Sequence, residues 1–301
     1  LDIKILYTNG CSFSQGDIHP NLPEQLPHNF PPYDEKPWPD VIAEKFKLNL
    51  VNEATSGISN FRIVRTTLDW FRNFRYDGGD TWKKLNQTKK LLITESKIRG
   101  RTVPPIIDKD KLNKFRVLLN EEKIDISQVF VIIGWTSLDR WEYFDDDEWK
   151  RVMVNPGLSI DPYSKNYYKY YYDQDAARLD YENQVTLLGS FFKNIGVSFL
   201  FFNSLPIYSF SYTKPISVFP WHGHNKNLFI EDKYIFSQSE VGENFLEYLE
   251  SIDGSQTQYE ERINSKDSVW LLEDPHPSDK GHEIWANKLI EHIEKHELMN
   301  D

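Results

Sequence analysis

Four places in this 301-residue sequence set chemically capable side chains directly after a short apolar run. Asn9-Gly10-Cys11-Ser12-Phe13-Ser14 offers hydroxyls on a glycine-led turn, and Ala54-Thr55-Ser56-Gly57-Ile58-Ser59-Asn60 offers a second glycine turn. Gly134-Trp135-Thr136-Ser137 adds further hydroxyl donors, and Glu273-Asp274-Pro275-His276-Pro277 sets two carboxylates beside a histidine. A serine hydroxyl attacks a carbonyl poorly at neutral pH until a base takes its proton. Histidine, with an ordinary pKa of about 6.5, is the side chain suited to that task. A carboxylate orients the imidazole and stabilises its cation. Backbone N–H groups at a glycine turn or helix start hold the oxyanion formed by the attack, Ser12's own N–H among them. Together these residue types are the parts of a serine hydrolase.

Such parts work only if the fold brings them together, and in a parallel α/β sheet they gather beyond the carboxyl ends of the strands. Five runs read as buried strands: Ile3–Thr8, Leu48–Asn52, Val129–Ile133, Val197–Asn203 and Ser268–Leu272. They lie too far apart for hairpins, and their near-continuous apolarity suits a sheet covered on both faces. Helical patterns fall between them. Pro39–Phe46 starts with proline in its first turn. Asn60–Phe74 places Ile63, Leu68, Trp70 and Phe71 near one side, and Gln174–Ile195 does the same with Leu179, Val185, Leu188 and Phe192. Pro277–Glu297 carries Ile284, Trp285, Leu289, Ile290 and Ile293 on its inner stripe. The alternation predicts a three-layer α/β/α sandwich around a five-stranded, mainly parallel sheet. Residues 1–301 are expected to form one domain, with long insertions at about 75–110, 143–172 and 208–267 and a further irregular stretch over Gln15–Pro37.

The same residues resemble the ordered blocks of the SGNH (GDSL-like) hydrolase superfamily. Gly10-Cys11-Ser12-Phe13-Ser14 resembles its first block, Gly-Asp-Ser-Leu-Ser, which implies Ser12 as the nucleophile. Asn52 followed by Ser56-Gly57 resembles the second and implies the Gly57 N–H as an oxyanion-hole donor. Ile133-Gly134-Trp135-Thr136 resembles the third, Gly-x-Asn-Asp, with Thr136 where the oxyanion-hole asparagine stands and Ser137 where aspartate is typical. His276-Pro277-Ser278, followed by Gly281-His282, resembles the last block and implies His276 as the base. The family's spacing assigns Glu273 as the acid, three residues before His276, while residue type favours Asp274; both stay open. The likeness runs from Ile3 to about Leu289, with the long stretches between blocks unmatched. The Gly-Cys-Ser-Phe start and Gly-Trp-Thr-Ser third block are similar to SGNH-like proteins of phages and their hosts. The resemblance implies a flavodoxin-like fold and ester hydrolysis.

Composition narrows the classes further. With 35 Lys+Arg against 46 Asp+Glu the net charge is -11, so a phosphate backbone would be repelled over most of the surface and no nucleic-acid partner is expected. The basic stretch Lys83–Arg101 reads as a solvated insertion. One cysteine, Cys11, excludes an internal disulfide and reads as a small core residue. No apolar run reaches the roughly 18–20 residues that span a bilayer. No Gly-x-Ser-x-Gly elbow, phosphate loop or dinucleotide fingerprint occurs. His222-Gly223-His224 reads as an exposed loop, Asp145–Glu148 as the solvated start of a helix, and His282 as a packing or capping residue inside the last helix. The tyrosines Tyr167, Tyr168, Tyr170, Tyr171 and Tyr172 suit packing of an insertion on the core, although aromatic faces also stack on sugar rings.

The expectation is therefore a serine esterase cleaving an acyl ester through an acyl-serine intermediate, with an O-acetyl ester on a carbohydrate as one candidate and the acyl and alcohol groups left open. Its partner would be a small-molecule or carbohydrate ester, with no metal or organic cofactor. Two alternatives use the same scaffold: a non-catalytic glycan- or ligand-binding protein, and an acyltransferase that passes the acyl group from Ser12 to an acceptor hydroxyl. The sequence opens straight into a strand pattern with no charged-then-apolar leader; a soluble protein is the expectation, and its compartment is left open with the cytoplasm favoured. Oligomeric state is left open.

Overall fold

Alternate residues of each apolar run face opposite ways, so a run apolar throughout demands cover on both sides. The fold provides it. A computed structural model describes residues 2–15, 36–55, 57–77, 124–145, 148–152, 166–167, 170–205, 232–236, 244–253 and 276–300. Its elements in chain order are β1 (Ile5–Gly10), α1 (Ser12–Gln15), α2 (Trp38–Phe46), β2 (Asn49–Asn52), α3 (Asn60–Asp77), β3 (Val129–Trp135), β4 (Trp141–Asp145), β5 (Glu148–Val152), α4 (Gln174–Ile195), β6 (Ser198–Asn203), α5 (Phe245–Asp253) and α6 (Asp279–Lys295).

Four strands form a parallel sheet in the order β2-β1-β3-β6. Ile5, Tyr7, Val129, Val131, Ile133, Phe199 and Phe201 project to one face, where α3 and α4 cover them with Trp70, Phe71, Val185, Leu188 and Phe192. Leu6, Phe130, Ile132, Leu200 and Phe202 project to the other, under Trp38, Phe245, Trp285, Leu289 and Ile293 of α2, α5 and α6. The result is the expected three-layer α/β/α arrangement. The run Ser268–Leu272, expected as a fifth strand, lies outside the described residues. Each large apolar side chain buried in such a core stabilises the fold by about 1.5–3 kcal/mol before entropy is counted.

Local signals place the helix ends. Pro39 sits in the first turn of α2, which closes on Lys47 in the left-handed region (φ 56°). Asp173 caps α4 by accepting the Ala176 N–H (2.8 Å), and Gly196, at φ 69°, ends it. Ser278 caps α6.

Two expectations need correction. Leu179 lies on the outside of α4, 58% exposed. The buried stripe there is Tyr181, Val185, Leu188 and Phe192, and two helical steps from Tyr181 turn Leu179 roughly 200° away from it. The ends of the acidic run, Asp145 and Glu148, lie in strands and not at a helix start; Asp146 and Asp147 lie outside the described residues. β4 and β5 pair antiparallel, with Asp145 opposite Glu148 and Phe144 opposite Trp149. The aromatic and β-favouring residues on both sides outweigh the preference of acids for a helix's first turn. Glu142 of β4 is 3% exposed and faces Arg62 (3.7 Å) and Arg65 (3.3 Å) of α3, which ties the hairpin to the sandwich.

Candidate functional site

Parallel pairing brings the expected residues to one edge. Register sets Gly10 beside Gly134, Thr8 beside Asn52, and Trp135 beside Asn203, so the carboxyl ends of all four strands lie in a row. Ser12 begins the short α1 one residue beyond β1, buried to 5% exposure. Gly57 lies in the turn after β2 and Thr136 directly after β3, both buried. His276, half-buried, precedes α6. Its ring lies 5.6 Å from the ring of Phe13, the neighbour of Ser12. Glu273 and Asp274 lie outside the described residues, as do Lys83–Arg101, His222 and His224.

The Ser12 turn is held from several directions. Cys11 is fully buried, and its carbonyl accepts the N–H groups of Ser14 and Gln15. The Trp38 indole N–H donates to the Phe13 carbonyl (3.0 Å), and the Asn52 amide donates to the Ser14 carbonyl (2.9 Å). The Thr55 N–H donates to the Gly10 carbonyl (2.9 Å), stitching the second loop to the first. Gly10 and Gly134 are needed for close approach. A Cβ on Gly134 would lie 2.8 Å from the Ser14 hydroxyl, and one on Gly10 would lie 2.8 Å from the Gly134 carbonyl oxygen. Gly57 adopts φ 70°, a conformation that costs other residues roughly 1–2 kcal/mol.

Carboxamides organise this edge, and sequence reasoning passed over most of them. Asn9 accepts the Gly10 N–H (2.8 Å), while its amide nitrogen lies 2.9 Å and 3.0 Å from the hydroxyls of Thr66 and Thr67 on α3. Asn60 binds both main-chain groups of Thr136: it accepts the N–H (2.9 Å) and donates to the carbonyl (2.9 Å). Asn203 accepts the Tyr181 phenol proton (2.8 Å), and Asn244 caps α5 by accepting the Glu247 N–H (3.0 Å). Their signal in the sequence is an asparagine at or just past an apolar run, as in Val51-Asn52 and Phe202-Asn203. With the main chain of Thr136 engaged by Asn60, the group it can offer a developing charge is the buried Oγ1, which has no hydrogen-bond partner among the described residues.

The histidine side of the edge is strongly apolar. His282, one turn into α6, is 1% exposed, and its ring lies 5.7 Å from that of Phe245. Burial, aided by the nearby His276, pushes its pKa down to about 3. It is thus a neutral packing residue, as expected from the sequence, and Cys11 likewise is a core residue.

Next to this edge, across Asn60 and Leu138, opens a cleft of about 210 Å³. α3, the segment leading into β4, and the start of α4 form it, and Trp141 and Tyr167 stack in its wall at 4.5 Å and 3°. Tyr167 therefore packs, as expected for the tyrosine cluster. Tyr170 and Tyr171 are mostly exposed, at 63% and 76%, and Tyr168 lies outside the described residues.

Comparison with known proteins adds little to this geometry. No protein-family model and no curated protein matches the chain. Among solved structures it is similar to the protein YxiM of Bacillus subtilis, at 12% identity and a TM-score of 0.41. That match covers 98% of this chain and 57% of the YxiM chain, so this chain spans little more than half the length of its neighbour. Among the described residues no helix is long and apolar enough to cross a membrane.

Proposed function

We propose that the protein is a serine esterase of the SGNH type, acting on an acyl ester and, by preference, on an O-acetyl group of a carbohydrate. The observation that supports this reading is that Ser12, Gly57 and Thr136 each stand just past the carboxyl end of one of three neighbouring parallel strands, with the His276 ring beside Phe13.

In the proposed reaction His276 takes the Ser12 proton as Oγ attacks the ester carbonyl. The N–H groups of Ser12 and Gly57 hold the oxyanion, and the Thr136 hydroxyl assists. One such donor contributes about 2.7–4 kcal/mol to the transition state. The carbonyl–alkoxy bond then breaks, the alcohol leaves with the proton carried by His276, and the acyl group stays on Ser12. His276 next deprotonates a water, which attacks the acyl-serine and frees the acid and the serine hydroxyl. Asp274 or Glu273 would orient the imidazole. The staples from Trp38 and Asn52 support the reading because a nucleophile must be held in place, and a serine on a loose turn would spend little time in attack geometry.

The test is ester hydrolysis by the purified chain, using p-nitrophenyl acetate and acetylated oligosaccharides. Turnover that vanishes in both Ser12→Ala and His276→Ala supports the reading. Turnover retained in Ser12→Ala refutes it.

A further inference from the structure

We propose that the cleft beside the candidate catalytic edge is a subsite for one neutral pyranose ring. The inference rests on the esterase reading for its role, which is to hold the sugar that carries the ester. The binding itself stands on separate observations.

Size comes first. At about 210 Å³ the cleft falls below the roughly 300–1,000 Å³ of sites for drug-sized ligands and suits a single small ring. Its rim is aromatic and open to solvent: Trp141 is 41% exposed, Phe61 45% and Tyr171 76%. Large apolar side chains left exposed around one concavity mark a binding surface more than a packing one. The C–H groups on one face of a pyranose are weakly positive and pack against the negative face of an aromatic ring. Trp141 is already fixed by its stack on Tyr167, so a sugar ring docking there immobilises little.

The polar lining carries the argument further. Gln184 is 91% buried (9% exposed), and its amide nitrogen donates to Asp180 (2.6 Å). Its Oε1 is buried with no hydrogen-bond partner among the described residues, and so is Nη1 of Arg140. Both residues line the cleft. An unmet buried acceptor and an unmet buried donor are each costly, a deficit that vicinal hydroxyls of a sugar, which donate and accept alike, would relieve. Charge selects among rings. Asp173 and Asp180 repel a uronic or sialic carboxylate, and Arg140 disfavours a cationic ligand, so the mixed lining suits an uncharged polyol. The cleft also shares Asn60 with the catalytic edge, where the same side chain clamps Thr136.

The test applies the full chain carrying Ser12→Ala, so that turnover cannot clear a ligand, to an array of neutral, N-acetylated and uronic-acid oligosaccharides. Tyr171→Ala and Gln184→Leu are made in the same background. Tyr171, being mostly exposed, can be truncated without threatening the fold. Retention on neutral or N-acetylated pyranoses, weakened roughly tenfold by either change, is the expected result. No retention, retention confined to uronic acids, or retention equal in all three proteins overturns the proposal. Fluorophosphonate labelling of wild type separates the two readings. An adduct on Ser12 without glycan retention refutes the cleft alone, while glycan retention without an adduct refutes the esterase alone.

Discussion

The two faces of the sheet are both aromatic and buried to a similar depth but differ in where buried charge sits. Under α2, α5 and α6 the core is aromatic and tightly stacked, with Phe245 and Trp285 at 4.7 Å and 10°, and even the histidine inside it is neutral. Under α3 and α4 the apolar core is joined by buried polar groups: Glu142 between two arginines, the Asn60 clamp, and the unmet atoms of Arg140 and Gln184. The Ser12 turn leans on the first face through Phe13 and Trp38, while the cleft belongs to the second. On the proposed function, the Ser12 turn acts from the side of α2, α5 and α6, and the grip on substrate lies on the side of α3 and α4, where Asn60 and Gln184 stand.

That division is open to attack at several points. The largest effect is expected from Ser12→Ala or His276→Ala: turnover falls by about 10³-fold or more in steady-state assays while the melting temperature stays within a few degrees. Next comes packing. Trp285→Ala and Phe71→Ala remove fully buried rings from opposite faces, and each should lower stability by about 3–5 kcal/mol in chemical denaturation. A much smaller loss on one face would show that the faces are not equally buried in solution.

Glu142→Gln probes the polar side. Its partners are 28% exposed, so the loss should be about 1–2 kcal/mol, below the ~3–5 of a fully buried pair. The hairpin that carries Trp141 should loosen, raising KM more than it lowers kcat. A fall in kcat with KM unchanged would contradict the division.

The smallest effect concerns pH. His282 has a folded pKa of about 3 against about 6.5 unfolded, so between those values the unfolded chain binds the extra proton. Its contribution is fully present above about pH 6.5 and is lost as pH falls toward 3. His292, held down to about 4 chiefly by burial, adds a parallel loss. His282→Leu should flatten the decline of melting temperature between pH 6.5 and 4 without abolishing it. An unchanged slope would show that His282 takes up its proton in the folded state.

The sheet was legible because buried parallel strands are apolar on both faces, a signal carried within each run. β1, β3 and β6 were readable to within a residue or two on their own composition. The β4–β5 hairpin was hidden by its acidic run, which imitates a helix start when the pairing of Asp145 with Glu148 is unknown. Ser12, Gly57, Thr136 and His276 could be named because each follows or flanks a legible element. The staples could not, since Trp38 reaches back 25 residues and Asn60 reaches forward 76. The cleft joins Asn60, Trp141, Tyr167 and Gln184, which only the folded chain brings near one another.

The central claim is that Ser12 is an activated nucleophile. The most direct measurement is intact-mass spectrometry after treatment with a small fluorophosphonate, followed by peptide mapping. One adduct on Ser12, absent from Ser12→Ala and from His276→Ala, is the predicted result. A folded protein that takes up no adduct, or takes it up equally without His276, would contradict the account.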